Sequence, residues 1–238
     1  MAETDPLWQR AKADLVVLDA GGVHDTFLWE HSVRIARAAA QMLAYPELAE
    51  ANVDRLALLA AALYHDAGWV IQFREHQISR WDILSRPTTD LQRELAAHWL
   101  EERGAELLPQ RSLETACAAV RACNSRKAES LETQVLAESE SLDEFGPLAF
   151  WRLVRRHAAE GRGIEAAIEA WNRQHEYHFW EARIKEGFRF DSVRRIARGR
   201  LSVLESFLAA IAVQHAGEDL AERVDASARQ PHRNKQPR

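Results

Sequence analysis

His31, His65 and Asp66 stand at helical positions where a core would take apolar side chains. Leu28, His31, Ile35, Ala38 and Met42 follow the i, i+3, i+4 spacing of one buried stripe. On a second stretch Leu58, Ala61 or Ala62, and His65 share a stripe, with Asp66 one step around. On a third, Leu136, Glu140 and Asp143 line up beside Val135, Ser139 and Leu142. Singly, each has an ordinary explanation: a core histidine satisfied by a neighbour, or an acid on a solvated helix flank. Burying an imidazole beside a carboxylate is costly unless something pairs them. Imidazoles and carboxylates converging from three helices are what a divalent metal ion needs. Such an ion would keep Asp66 anionic and His65 neutral.

The elements that must position these groups are helices. Gly and Pro are sparse, 10 and 7 among 238 residues, and fall between long periodic segments. The pattern predicts a first helix over 6–18, a loop at Gly21-Gly22, and a second helix over 26–44. A third is expected from an Asn52 N-cap to a stop at Gly68. Further helices are expected at 74–84, 89–103, 111–124 and 131–144. Three more regions follow, the last with apolar Val193, Ile196, Leu204, Phe207 and Ile211. The short "LVVLD" near residue 15 reads as a strand or as a helix end. The fold class is all-α. Its expected organisation is an N-terminal helix (1–20), a helical domain including the C-terminal helices (21–224) and a polar, disordered tail (225–238).

Composition narrows the function. The chain is 47% hydrophobic with a net charge of −5, enough apolar material for a core and too little positive charge for a general polyanion binder. The basic tail residues Arg229, Arg233, Lys235 and Arg238 read as a solvated tail, so no nucleic-acid partner is expected. Two cysteines, Cys117 and Cys123, form neither a disulfide framework nor a zinc pattern. The N-terminus lacks the basic start and apolar core of a signal peptide. No apolar run approaches the roughly 20 residues that cross a bilayer. A cytoplasmic location without a membrane partner is expected.

Three ordered segments, "EHSVRIA" (30–36), "ALYHDAGW" (62–69) and "VLAESESLDEFG" (135–146), resemble the HD superfamily of metal-dependent phosphohydrolases. The closing "HFWEARIKEGF" and "RRIARGRLSVLESFL" are similar to the end of its single-domain bacterial members, so the likeness spans about residues 20–212. It implies an HD-domain helical bundle with additional C-terminal helices. It also implies one divalent ion, Mn, Fe, Ni, Co or Mg, held by His31, His65, Asp66 and Glu140, with room for a second ion. Asp66 would also hold the attacking water. The family normally has Asp where this chain has Glu140, and Asp143 aligns with a later Asp of the same segment.

Arg34, one turn after His31, is a candidate phosphate fork, and a salt bridge is its ordinary reading. His76, His98 and Asp143 are candidate substrate contacts. His24-Asp25, a second His-Asp dipeptide, lies in a glycine-led loop and reads as a cap or a coincidence. Trp151, Trp171 and Trp180 line a pocket or fill the core. Trp69 and Cys123 stand where many members carry other polar groups. The expected activity is hydrolysis of a small phosphorylated compound, with a nucleotide as the leading class. The alternative is a catalytically degenerate HD domain that binds a ligand or regulates. The oligomeric state is left open, a homodimer included.

Overall fold

The computed structural model describes residues 5–220, so the expectation for the tail lies outside the described residues. Helix α1 (Pro6–Leu15) starts on an Asp5 cap with Pro6 at its first turn, where proline's missing N–H costs nothing. The "LVVLD" segment forms a strand: Val17–Leu18 pairs antiparallel with His24–Asp25. This two-residue ladder is the only sheet among the described residues.

Next come α2 (Phe27–Met42), α3 (Arg55–Tyr64), α4 (Gly68–Arg74), α5 (Asp90–Gly104), α6 (Gln110–Ala122) and α7 (Leu131–Asp143). Helix α3 is the centre of the bundle. Every residue from Ala57 to Tyr64 is buried, as a helix apolar on all sides must be. It packs against α2, α5, α6 and α7. The stretch 55–74 has the length and hydropathy of a membrane span, yet 78% of that window is buried inside the protein. It is a core segment broken into two helices.

The C-terminal elements are α8 (Pro147–Ala159), α9 (Ile164–Glu176), α10 (Phe179–Gly187) and α11 (Asp191–Ala216). Gly146 turns the chain into α8 at φ 94°, with Arg200 Cβ at 3.5 Å from where a Cβ would stand. Helix α11 closes the layer by packing on α7, α8, α9 and α10.

Three local expectations are corrected. The α3 N-cap is Asp54, whose carboxylate accepts from the Leu56 and Ala57 N–H groups at 3.1 and 2.9 Å. Gly68 does not end α3 but begins α4 after the turn through His65. A Cβ there would lie 2.1 Å from the Gln92 carbonyl oxygen, so only glycine lets α4 meet α5 this closely. The 74–84 helix does not form. His76 takes a left-handed conformation (φ 57°) after α4, and the Ser79–Asp82 capping box makes a single 3₁₀ turn at Arg80–Asp82.

Candidate metal centre

His31 comes from α2, and His65 and Asp66 from the turn that ends α3. All three are fully or almost fully buried. His31 Nε2 and His65 Nε2 face each other at 3.2 Å, and Asp66 Oδ2 lies 3.3 Å from both. The hydrogen bonds at the far side of each ring fix what these atoms are. His31 Nδ1 lies 2.9 Å from Asp143 Oδ2, and His65 Nδ1 lies 2.9 Å from the Ala62 carbonyl. Arg152 Nη2 also stands 3.2 Å from His31 Nδ1, but the shorter contact is to the Asp143 carboxylate, which can only accept, as the Ala62 carbonyl does. This places the proton of each ring on Nδ1 and leaves both Nε2 atoms with bare lone pairs.

Two lone pairs and a carboxylate oxygen thus crowd one buried point, and Asp66 Oδ2 has no hydrogen-bond partner. Such an arrangement is repulsive unless a cation sits at its focus. An ion with bonds of about 2.1 Å spaces neighbouring ligands by about 3.0–3.4 Å, which is the size of this triangle. The donor set therefore fits a divalent metal.

Electrostatics agree at His65 and Asp66, whereas at His31 the two neighbouring carboxylates favour the charged ring in the absence of an ion. Burial pushes the His65 imidazole down, away from the charged form. Burial also opposes charge on His31, but its bonds to Asp143 and Asp66 outweigh this and raise it. Asp66 is held well below the usual carboxylate range against the effect of burial, by His65 and Arg93.

Around the triangle stands a shell of orienting groups. Trp69 Nε1 donates to Thr88 Oγ1 at 2.9 Å, and Thr88 donates to Asp66 Oδ1 at 2.7 Å. Arg93 Nη1 donates to the same oxygen at 2.7 Å and to the His65 carbonyl at 2.9 Å. Asp66 Oδ1 is thereby saturated and Oδ2 is turned to the imidazoles.

Five assignments made from the sequence change here. Glu140 does not join the triangle: both its oxygens accept from Arg93 Nη2 at 2.6 Å, and the Cys123 thiol donates to it at 3.2 Å. Arg34 is not a free fork, because it grips Asp143 with Nε at 2.8 Å and Nη2 at 3.0 Å. Asp143 is correspondingly a support of His31 rather than a substrate contact. His76 and His98 do not reach the centre. His76 is exposed beyond the end of α4, and His98 lies on the outer face of α5, beside Glu102 at 3.4 Å. His24 is exposed and Asp25 caps α2 through the Phe27 N–H at 3.0 Å, which is the capping reading.

Arg93, Thr88 and Arg152 were missed. For Arg93 a signal existed: in "LQRELAAHWL" it shares the buried face of α5 with Ala96, Ala97 and Leu100, an odd place for a guanidinium. Thr88 and Arg152 carried none, since only the folded chain brings them near.

Asp66, Arg93 and Glu140 floor an open cleft of about 390 Å³. Its lining holds six arginines (Arg86, Arg93, Arg126, Arg152, Arg183 and Arg189) against three carboxylates, Asp66, Glu140 and Glu144. Beside it, sharing Arg86, Arg152, Arg183 and Glu144, lies an apolar compartment of about 260 Å³ lined by Phe150, Trp171, Phe179 and Trp180. Trp151 is exposed instead.

The sequence pattern of the HD domain matches residues 28–212. No curated protein matches. Among solved structures, the fold is similar to that of a predicted HD superfamily hydrolase from an uncultured Thermotogales bacterium. That pair is 14% identical, covers 89% of this chain and 92% of the other, and has a TM-score of 0.54. The Lin1889 protein of Listeria innocua is also similar, at 14% identity, 89% and 96% coverage and a TM-score of 0.53. Bacillus subtilis YpgQ follows at 16%, 86% and 95%, and 0.51. At these identities the likeness concerns the fold.

Proposed function

The chain belongs to the HD domain family, and on that footing we propose that it is a metal-dependent phosphohydrolase acting on a small phosphorylated substrate, a nucleotide being the leading candidate. The observation that carries this reading is the buried triangle of His31 Nε2, His65 Nε2 and Asp66 Oδ2 opening on an arginine-lined cleft. A divalent ion bound there supplies the Lewis acidity that activates water and the charge that steadies a phosphoryl group.

The remaining work falls to the chain. His31 and His65 keep their protons on Nδ1, held by Asp143 and the Ala62 carbonyl, so that each offers Nε2. Thr88 and Arg93 fix Asp66 so that Oδ2 alone faces the centre. Arg86 and Arg126, both exposed in the cleft, are placed to take phosphate oxygens, and phosphoryl transfer asks mostly for such positioning and charge. The apolar compartment suits a flat group carried by the substrate, with Trp171 and Trp180 as stacking surfaces. The two buried free thiols suit a reducing compartment, and a cytoplasmic site of action is part of the same reading.

A second reading has its own observation. Glu140 is engaged by Arg93, and Cys123 stands beside it, which suits an HD domain that binds a ligand without turning it over. The deciding experiment is elemental analysis of protein purified without chelator or metal-affinity resin, followed by phosphate-release assays on nucleoside mono-, di- and triphosphates with the ion found. About one equivalent of metal and phosphate release that His65→Ala abolishes support the hydrolase. Metal and nucleotide binding without release select the binding module. No metal, even on titration with Mn or Ni, ends the hydrolase reading and leaves the ligand-binding domain in its place.

A further inference from the structure

Arg93 is 1% exposed yet makes five hydrogen bonds, and their direction matters. Nη1 reaches Asp66 Oδ1 at 2.7 Å and the His65 carbonyl at 2.9 Å. Nη2 reaches both Glu140 oxygens at 2.6 Å, and Nε reaches Asn124 Oδ1 at 3.2 Å. The guanidinium therefore spans two carboxylates. Asp66 is shared: Oδ1 faces this cation and Oδ2 faces the two imidazoles. With an ion held by the imidazoles, Asp66 would offer one oxygen to each of two positive centres, a bridging arrangement. In two-ion phosphoryl-transfer sites the ions stand about 3.5–4 Å apart as a clamp on the phosphoryl oxygens.

We infer that Arg93 is a built-in second cation: it fills the place of a second metal ion beside Asp66 and keeps Glu140 out of the first ion's shell. The chain then holds a single ion through three protein ligands, His31, His65 and Asp66. The chemistry of the groups supports this. An arginine stays charged at any working pH, so this positive centre is not exchanged with solvent as an ion would be. To reach the triangle, Glu140 would have to give up two short charge-assisted bonds and leave a buried guanidinium under-paired, which is strongly unfavourable. Asn124 and the His65 carbonyl hold the guanidinium on the face of Asp66 turned away from the imidazoles.

The inference rests on the proposed metal site, and its test reads ion binding rather than activity. Purified full-length protein, stripped with chelator, is titrated calorimetrically with Co(II) and with Mn(II), and the Co(II) visible spectrum is followed. The wild type is expected to take up one equivalent, and Glu140→Gln, which can still pair with Arg93, to bind one equivalent within about threefold of the wild-type affinity. Arg93→Ala removes the guanidinium from Asp66 Oδ1 and Glu140, leaving them only the Thr88 hydroxyl and the Cys123 thiol, and a second equivalent is expected, with a second change in the Co(II) spectrum. Two equivalents in the wild type, or a tenfold or greater loss of affinity in Glu140→Gln, overturn the inference while leaving the metal site standing. So does a folded Arg93→Ala, judged by circular dichroism, that still binds one. Should Arg93→Ala fail to fold, the wild-type stoichiometry and Glu140→Gln decide alone. No uptake by the wild type removes the proposed site and the inference together.

Discussion

A histidine can serve a metal ion only through a nitrogen without a proton, so the partner of the other nitrogen decides its use. For His65 that partner is the Ala62 carbonyl one turn back, a local bond. For His31 it is Asp143, more than a hundred residues away and itself gripped by Arg34. Burial would raise the Asp143 carboxyl, but the hydrogen bonds from His31 and Arg34 hold it well below the usual carboxylate range. Asp143→Asn keeps the shape and removes the charge that fixes the His31 tautomer. It is expected to weaken Mn(II) binding about 10–100-fold, measured by calorimetric titration, and unchanged affinity would remove Asp143 from this role. At this scale the sequence was readable where a polar residue interrupted an apolar stripe, as at His31 and His65. It misled at Arg34 and Asp143, because the same fork that binds phosphate also binds a carboxylate, and helix spacing does not say which is near.

Helix α3 carries the His-Asp pair at its end, so whatever fixes its start fixes the site. Asp54 accepts from the N–H groups of Leu56 and Ala57 and from the Ser112 hydroxyl of α6 at 2.7 Å. Its own N–H donates to Glu132 of α7 at 2.9 Å. One cap thus ties three helices together. Partial burial opposes ionisation of Asp54, but the bonds from Ala57, Ser112 and Leu56 outweigh it and lower its pKa. A carboxyl depressed in the folded state adds stability above its unfolded pKa, near 4, and that stability is lost as pH falls through the folded value. Asp54→Ala is expected to cost about 1–2 kcal/mol at pH 7, read from urea unfolding. The gap between variant and wild type should shrink as pH is lowered below about 4, and a gap constant with pH would count against this origin. The sequence placed α3 but chose Asn52 as its cap, since both residues cap well and only the reach to α6 and α7 separates them. Gly68 is the same kind of case: a glycine after a helix reads as a stop, whereas here it is needed for the approach of α5.

The whole molecule sets the bundle of α2, α3, α5, α6 and α7 against the layer α8–α11, and the cleft over the metal centre takes residues from both. An ion that binds the folded chain and not the unfolded one stabilises it by mass action, by about 2.7 kcal/mol at a hundred times its dissociation constant. For a chain of this size that is about 5–10 °C in Tm. Saturating Mn(II) is therefore expected to raise Tm by about that amount over the chelated protein in differential scanning calorimetry, and His65→Ala to abolish the shift. A wild-type Tm indifferent to Mn(II), Co(II) and Ni(II) would leave the centre without its ion.

The all-α class, the helical stripes and the meeting of His31 with His65 and Asp66 could be read from the chain alone. Hydrophobic periodicity is a local property, and a histidine on a buried face advertises itself. What surrounds them was settled only by the tertiary structure. Whether Glu140 faces the triangle or a guanidinium, whether Asp143 serves substrate or His31, and whether Trp171 and Trp180 line a compartment all depend on which charges and faces meet across helices distant in sequence. Ion pairing is decided by proximity in three dimensions, and a one-dimensional spacing does not carry it.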